Sequence, residues 1–364
     1  MSQKKTVIIN GLVFDGHELH QNLAVAIENG VISNLGNVPD TSYTTIIDAT
    51  GQTLLPGLID AHVHLTADLE NTCHLLTQMA RAGITTALDM GYLPKPIRDA
   101  VRDQPGMTDI RAAGNYATST GSTHSRFPHI SKESLVDSSE LAISFVQTRI
   151  AEDAEYIKIV ADIPGPSQEV VDTLAAEARK AGKLSVAHAA RKGSFAMAQE
   201  GKVDIVTHVP LDFPLDEDEA KKMKDEGRVC VPTLIMEQGL AKAGIFPGLD
   251  YTAARESVSR LHKAGVSIVV GTDANQSPRA GVRHGDAIHE ELKLLVDAGM
   301  SNLEVLRGAT SASAEAFRLY DRGVIAVGKR ADLVLVNGNP AESIGCTKDM
   351  VRVWIHGEEV KTRD

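Results

Sequence analysis

Eight short apolar runs recur between residues 58 and 273, with helix-patterned stretches between several of them, and this alternation restricts the possible folds more than any other feature of the chain. The runs are 58–64, 84–90, 110–117, 156–161, 184–189, 204–209, 229–234 and 267–273. Segments 167–181, 216–226 and 286–298 carry helical patterning, each with a glycine near its C-terminus. Strand and helix in alternation imply a parallel α/β sheet, and eight such strands are the number that closes a barrel.

The flanks read differently. Short strands are expected at 6–14, 23–28, 31–35 and 44–48. Asn29-Gly30 marks a hairpin, because both central positions of a type I′ turn need positive φ. The same texture returns at 323–327, 332–336 and 350–355. The expected architecture is α/β, a (β/α)8 TIM barrel over 56–322 with a small β-sandwich domain built from both termini, 1–55 and 323–364. The longest stretch without an assigned element, 118–139, follows the third barrel strand, and a loop of that length usually carries function or moves.

Charge narrows the partners. Lys and Arg number 37 against 48 Asp and Glu, a net charge of −11, which opposes nucleic-acid binding. Cys73, Cys230 and Cys346 are odd in number and follow no CxxC pattern, so a disulfide framework is not expected and a reducing cytoplasm fits. The N-terminal apolar run breaks too early for a signal segment, and no run approaches the roughly 20 apolar residues of a membrane span. The expectation is a soluble protein acting on a small molecule. The oligomeric state stays open, a homo-oligomer included.

Polar residues collect at the C-terminal ends of the expected strands, where a barrel carries its active site. The first run ends in His62-Val63-His64, and residues i and i+2 of a strand share one side, so both imidazoles can meet one ion and make half a zinc site. Lys158 stands among apolar neighbours, where a bare ammonium is costly to bury. His188, His208 and Asp273 end the fifth, sixth and eighth strands. Each alone has an ordinary reading: strand-end histidines are commonly hydrogen-bonded structural residues, and an aspartate after Gly-Thr can cap a helix. Six such residues at the right strand ends make a site. Arg279, Arg283 and His284 follow Asp273 on the loop over the expected mouth and are candidates to clamp a substrate carboxylate.

Pro56-Gly57-Leu58-Ile59-Asp60-Ala61-His62-Val63-His64 resembles the first-strand signature of the amidohydrolase superfamily. Gly271-Thr272-Asp273 resembles its last-strand signature, and 323–333 its return to the small β domain. Segment 298–312 is similar to the helical stretch before that return. The resemblance covers nearly the whole chain and is nearest to the imidazolonepropionase-like and prolidase-like branch. It implies two divalent metal ions, zinc foremost, with His62, His64 and Asp273 on one and His188 and His208 on the other. Lys158, N6-carboxylated, would bridge them. It further implies a metal-bridging hydroxide that hydrolyses a C–N amide bond, with Asp273 as general base and acid, acting on an N-acyl amino acid, a dipeptide or a cyclic amide. Similar enzymes carry an active-site histidine after the third strand, which points to His124 as a catalytic or substrate contact.

Two departures stand out. The sixth strand reads Val206-Thr207-His208-Val209-Pro210, where related sequences more often place an acid before the histidine and glycine after it. After His188 comes Ala189-Ala190-Arg191-Lys192 in place of a further histidine or aromatic contact, which leaves the leaving-group pocket undefined. Three alternatives stay open: a mononuclear deaminase or imidazolonepropionase-like hydrolase, a lactonase or esterase on the same site, and a scaffold without activity.

Overall fold

The computed structural model describes residues 5–36, 45–128, 130–244, 247–277 and 280–361. Parallel strands form two arcs. One joins Leu58–Val63, Ile84–Asp89 and Asp109–Ala112; the other runs through Tyr156–Val160, Leu184–His188, Ile205–Thr207, Val229–Val231 and Ser267–Ile268. Backbone hydrogen bonds close both seams. Val160 N–H donates to Ala117 O at 2.8 Å, while on the other side Ala61 N–H donates to Val270 O at 2.9 Å and Asp273 N–H to His62 O at 2.7 Å. The result is a closed (β/α)8 barrel.

Alternation along the strands sorts side chains into two layers. On the fourth strand Ile157 and Ile159 join the apolar layer beneath the helices, and Tyr156 joins the interior cluster with Ile59, Val186, Ile205 and Val231. Lys158 therefore points inward. On the first strand the register shifts between Asp60 and Val63, after which Val63 packs into the outer layer and the flanking histidines turn to the mouth. The last strand crosses so close to the first that a Cβ on Gly271 would sit 2.9 Å from His62 N and 2.5 Å from Val231 Cγ1. Only glycine fits there.

Two further sheets draw on both ends of the chain. One orders Val31–Leu35, Val25–Glu28, Thr6–Ile9 and Thr45–Asp48; the other orders Glu358–Glu359, Met350–Ile355, Leu333–Asn337, Gln52–Pro56, Leu12–Phe14 and Leu19–Gln21. Leu54, Leu333, Leu335 and Trp354 pack between these sheets with Ile8, Val25 and Ile32. The opposite face, through Leu55, Val334, Val336 and Val353, packs on the barrel's outer layer. Asn29 and Gly30 take φ of 54° and 81°, as the hairpin requires. We propose that these sheets form one unit, 1–55 and 323–364, beside a barrel spanning 56–322.

Several elements differ from expectation. Residues 323–327 form no strand: they lie between Gly323 and Gly328, at φ 83° and 84°, and are held as a loop by Ile325 N–H donating to Asp15 O at 2.8 Å. The third strand stops at Ala112, and the seventh at Val231, so that Leu234 opens the helix Leu234–Ala243. Gln52–Pro56, a strand in its own right, precedes the barrel. Among the described residues no helix is long and apolar enough to cross a membrane.

Candidate metal centre

At the C-terminal mouth of the barrel the six strand-end residues come together. His62 Nε2 and His64 Nε2 lie 3.4 and 3.1 Å from Asp273 Oδ1, and 3.3 Å from each other. His208 Nε2 is 4.0 Å from Asp273 Oδ2. The His208 ring centroid lies 5.0 Å from that of His62 and 4.4 Å from that of His188. Lys158 Nζ donates to Thr207 Oγ1 at 3.0 Å. His62, His64, Lys158, His188 and Asp273 line a cavity of about 650 Å³.

The backbone is bent to serve this mouth. His208, Asp273, Thr233 and Tyr92 adopt left-handed φ of 71°, 54°, 50° and 80°, a region that costs a non-glycine residue about 1–3 kcal/mol. Four such residues at neighbouring strand ends aim side chains that straight strands would not. Asp60 braces the seam beneath them, accepting from Thr272 Oγ1 at 2.7 Å, Thr272 N at 3.0 Å and His62 N at 3.3 Å. Burial pushes its carboxyl up to about 7.

Electrostatics favour neutral donors. Burial holds the imidazoles of His62, His188 and His208 well below the ordinary range, and neighbouring cationic groups add to the effect. Burial brings Lys158 down to about 7 against the opposing pull of Asp273 and Asp89. His62 Nδ1, His64 Nδ1 and Asp273 Oδ1 are buried without a hydrogen-bond partner among the described residues. Neutral imidazole and carboxylate are the ligand forms that divalent ions require, and they bind with release of protons otherwise held there. The donor set fits such ions.

The ligand atoms divide into two groups, His62, His208 and Asp273 in one, and His124, Asp162 and His188 in the other, each within 4.8 Å of its fellows. His208 stands between the two sets, with its ring nearer to that of His188 than to that of His62. Asp162 is absent from the sequence reading, though it continues the inward parity of Lys158 and Val160 past the strand end. It accepts from His124 Nδ1 at 2.7 Å and lies 3.7 Å from His188 Nε2. Burial pushes its carboxyl up, but the His124 hydrogen bond and the charges of both histidines outweigh that and hold it at about 2.

Thr233 and Glu237 are also missed, because the seventh strand ends earlier than the apolar run suggests. His208 Nδ1 shares a 2.7 Å hydrogen bond with Thr233 Oγ1 and lies 3.2 Å from Glu237 Oε1. Neither Glu237 oxygen has a hydrogen-bond partner among the described residues, and the side chain is fully buried. Donation from Nδ1 leaves Nε2 with its lone pair toward the cavity, and such outer partners typically tune metal affinity about 10- to 100-fold. Thr233→Ala is therefore expected to weaken metal retention about 10-fold, read by competition with a chromogenic chelator. Retention equal to the parent would remove this role from Thr233.

Of the basic residues after Asp273, Arg283 and His284 stand off the cavity. Arg283 is exposed, and neither it nor His284 lines the cavity. His284 instead turns back to His64 O at 3.1 Å, and burial lowers it to about 4. Arg279 lies outside the described residues.

Residues 53–360 match the Amidohydrolase family. An adenine deaminase of Nitratidesulfovibrio vulgaris is 27% identical over 304 residues, which cover 80% of this chain and 48% of the deaminase, so the chain spans about half the length of that relative. An imidazolonepropionase of Idiomarina loihiensis is 24% identical over 379 residues, covering 88% and 87%. Among solved structures, a prolidase complexed with N-methylphosphonate-L-proline is 27% identical with a TM-score of 0.83, covering 99% of this chain and 100% of that one.

Proposed function

This chain belongs to the amidohydrolase family, and from that premise we propose that it is a metal-dependent hydrolase cleaving a C–N bond in a small molecule. The substrates we propose are N-acyl amino acids, dipeptides or cyclic amides. His62, His64 and Asp273 would hold one divalent ion, and His188 and His208 a second. Zinc suits these ligands best, and Lys158, once N6-carboxylated, would supply a carboxylate to both ions. The observation behind this reading is Lys158 itself, an inward lysine only 2% exposed whose amine is brought down to about 7. Carbon dioxide adds only to a neutral amine, and a buried lysine between two sets of imidazoles has no other evident use. Cys73, Cys230 and Cys346, odd in number and without a CxxC pair, suit a reducing cytoplasm.

Bound there, divalent ions would polarise the scissile carbonyl and bring the pKa of water toward neutrality. The protein's own groups do the rest. Asp273, with Oδ1 unpartnered, takes the proton released as the water oxygen bonds to the carbonyl carbon. It then delivers that proton to the nitrogen as the C–N bond breaks, leaving a carboxylic acid and an amine. His124, which lines the cavity, is oriented through Nδ1 by Asp162 and is placed to contact the substrate.

One observation favours a second reading. His208 groups with His62 and Asp273, which suits a mononuclear centre with His188 and His124 left for substrate. Metal content separates the two. Elemental analysis of the purified protein is expected to find about two equivalents per chain, falling to about one in Lys158→Ala. A single equivalent in the unmodified protein would decide for the mononuclear centre. Activity would then be sought across N-acyl amino acids, dipeptides, cyclic amides and lactones.

A further inference from the structure

The cavity has a second polar end, on the segment where the sequence departs from its relatives. Arg191 lies three residues past His188 and lines the cavity. Its guanidinium makes no ion pair among the described residues, whereas the adjacent Lys192 is fully engaged, 3.2 Å from Asp216 and 3.1 Å from Glu219. Of the carboxylates that line the same cavity, Asp162 is held by His124 and His188 and Asp273 faces His62 and His64, and neither pairs with Arg191. An unpaired arginine facing a cavity is a binding group without its anion.

Two further features converge on this point. Arg191 precedes the helix Lys192–Glu200, whose start has no side-chain cap. Asp212 accepts from Lys192 N at 2.8 Å, which leaves the amides of Gly193 and Ser194 among the open donors of a helix N-terminus, where the dipole favours an anion. Ser194, only 2% exposed, lines the cavity, and its hydroxyl has no hydrogen-bond partner among the described residues. Guanidinium, hydroxyl and helix amides are all donors of the kind that a carboxylate accepts. The remaining wall, through Leu211, Met236, Leu240 and Leu249, is apolar.

We propose that Arg191 and Ser194 form a carboxylate subsite that selects substrates bearing a free carboxylate beside the scissile amide, with an apolar group against the leucine-rich wall. This deepens the hydrolase reading above and rests on it. It also gives the clamp expected after the eighth strand to the segment after the fifth. When a neutral amide or lactone binds, the exposed Arg191 guanidinium keeps its water, and the charge-assisted hydrogen bonds forgone are worth about 10-fold in affinity.

The test uses matched pairs, N-acetyl-L-leucine and N-acetyl-L-leucinamide, in two measurements on the metal-loaded enzyme. Calorimetry on the parent should show the acid binding at least about 10-fold tighter than the carboxamide, with that preference collapsing toward one in Arg191→Met and partly restored in Arg191→Lys. Kinetics should show the same preference in kcat/KM, carried by KM, with a smaller loss in Ser194→Ala. Equal binding of acid and carboxamide by the parent, or an undiminished preference in Arg191→Met, overturns the subsite. If neither compound nor any amide is hydrolysed, the hydrolase reading fails, while the calorimetric preference still decides the role of Arg191.

Discussion

Asp273→Asn is expected to lower kcat by about 10³-fold, within the range that a positioned acid–base group supplies. The substitution isolates charge and proton affinity from shape. Asparagine tolerates the left-handed backbone that Asp273 adopts at φ 54° and keeps the side-chain oxygen that faces His62 and His64. It cannot take up a proton at neutral pH. Steady-state kinetics should accompany circular dichroism and elemental analysis. An Asn variant with parental metal content and more than about a tenth of parental kcat would remove Asp273 from proton transfer, whereas lost metal with a native spectrum would place its role in ligation alone.

Much of this arrangement is legible in the sequence because each piece carries a local signal. His62 and His64 end an apolar run, Lys158 is a charge where none belongs, and Asp273 follows a glycine that only a close strand crossing needs. Parity then carries each of them to the mouth of the barrel. The supporting residues carry no such signal. Asp162 reaches His124 across 38 positions and His208 reaches Thr233 across 25, so neither partnership leaves a periodic trace. Proximity in sequence also misleads: Arg283 and His284 lie close after Asp273, yet Arg283 is exposed off the cavity and His284 is buried against the backbone of His64. The eighth strand is short for a related reason. Its ladder is shared, with Val269 N–H bonding Cys230 O on one neighbour and Ala61 N–H bonding Val270 O on the other, and an apolar run cannot report which neighbour takes which bond.

The largest expected effect on stability lies at the opposite end of the barrel. Arg322, 3% exposed, joins Asp109 at 2.6 Å, Thr86 Oγ1 at 2.9 Å and Asp321 at 2.9 Å. Arg330 joins Asp332 at 2.9 Å and Asp103 at 2.6 Å, and Asp332 in turn accepts from His356 N at 2.7 Å. The network thus ties the second and third barrel strands to the sheet made from both chain ends. Such buried charges are weak contributors as a pair but costly to leave alone, at about 3–5 kcal/mol when one partner is removed. Arg322→Met is expected to cost that amount, a large share of the roughly 5–15 kcal/mol that holds a domain folded. Urea unfolding can be followed both by circular dichroism and by the single tryptophan, Trp354, which is 2% exposed between the two sheets. An earlier Trp354 transition in the variant would show the sheets released first, and an unchanged midpoint in both signals would refute the network's role. Acid supplies an independent check. Burial raises the Asp109 carboxyl, but Arg111, Arg322 and Arg330 outweigh it and depress it from 3.8 to about 2. Its contribution is therefore present above pH 3.8 and lost as the pH falls toward 2, so the parent should lose stability across that window more steeply than Arg322→Met, in which the part of the depression due to Arg322 is already gone.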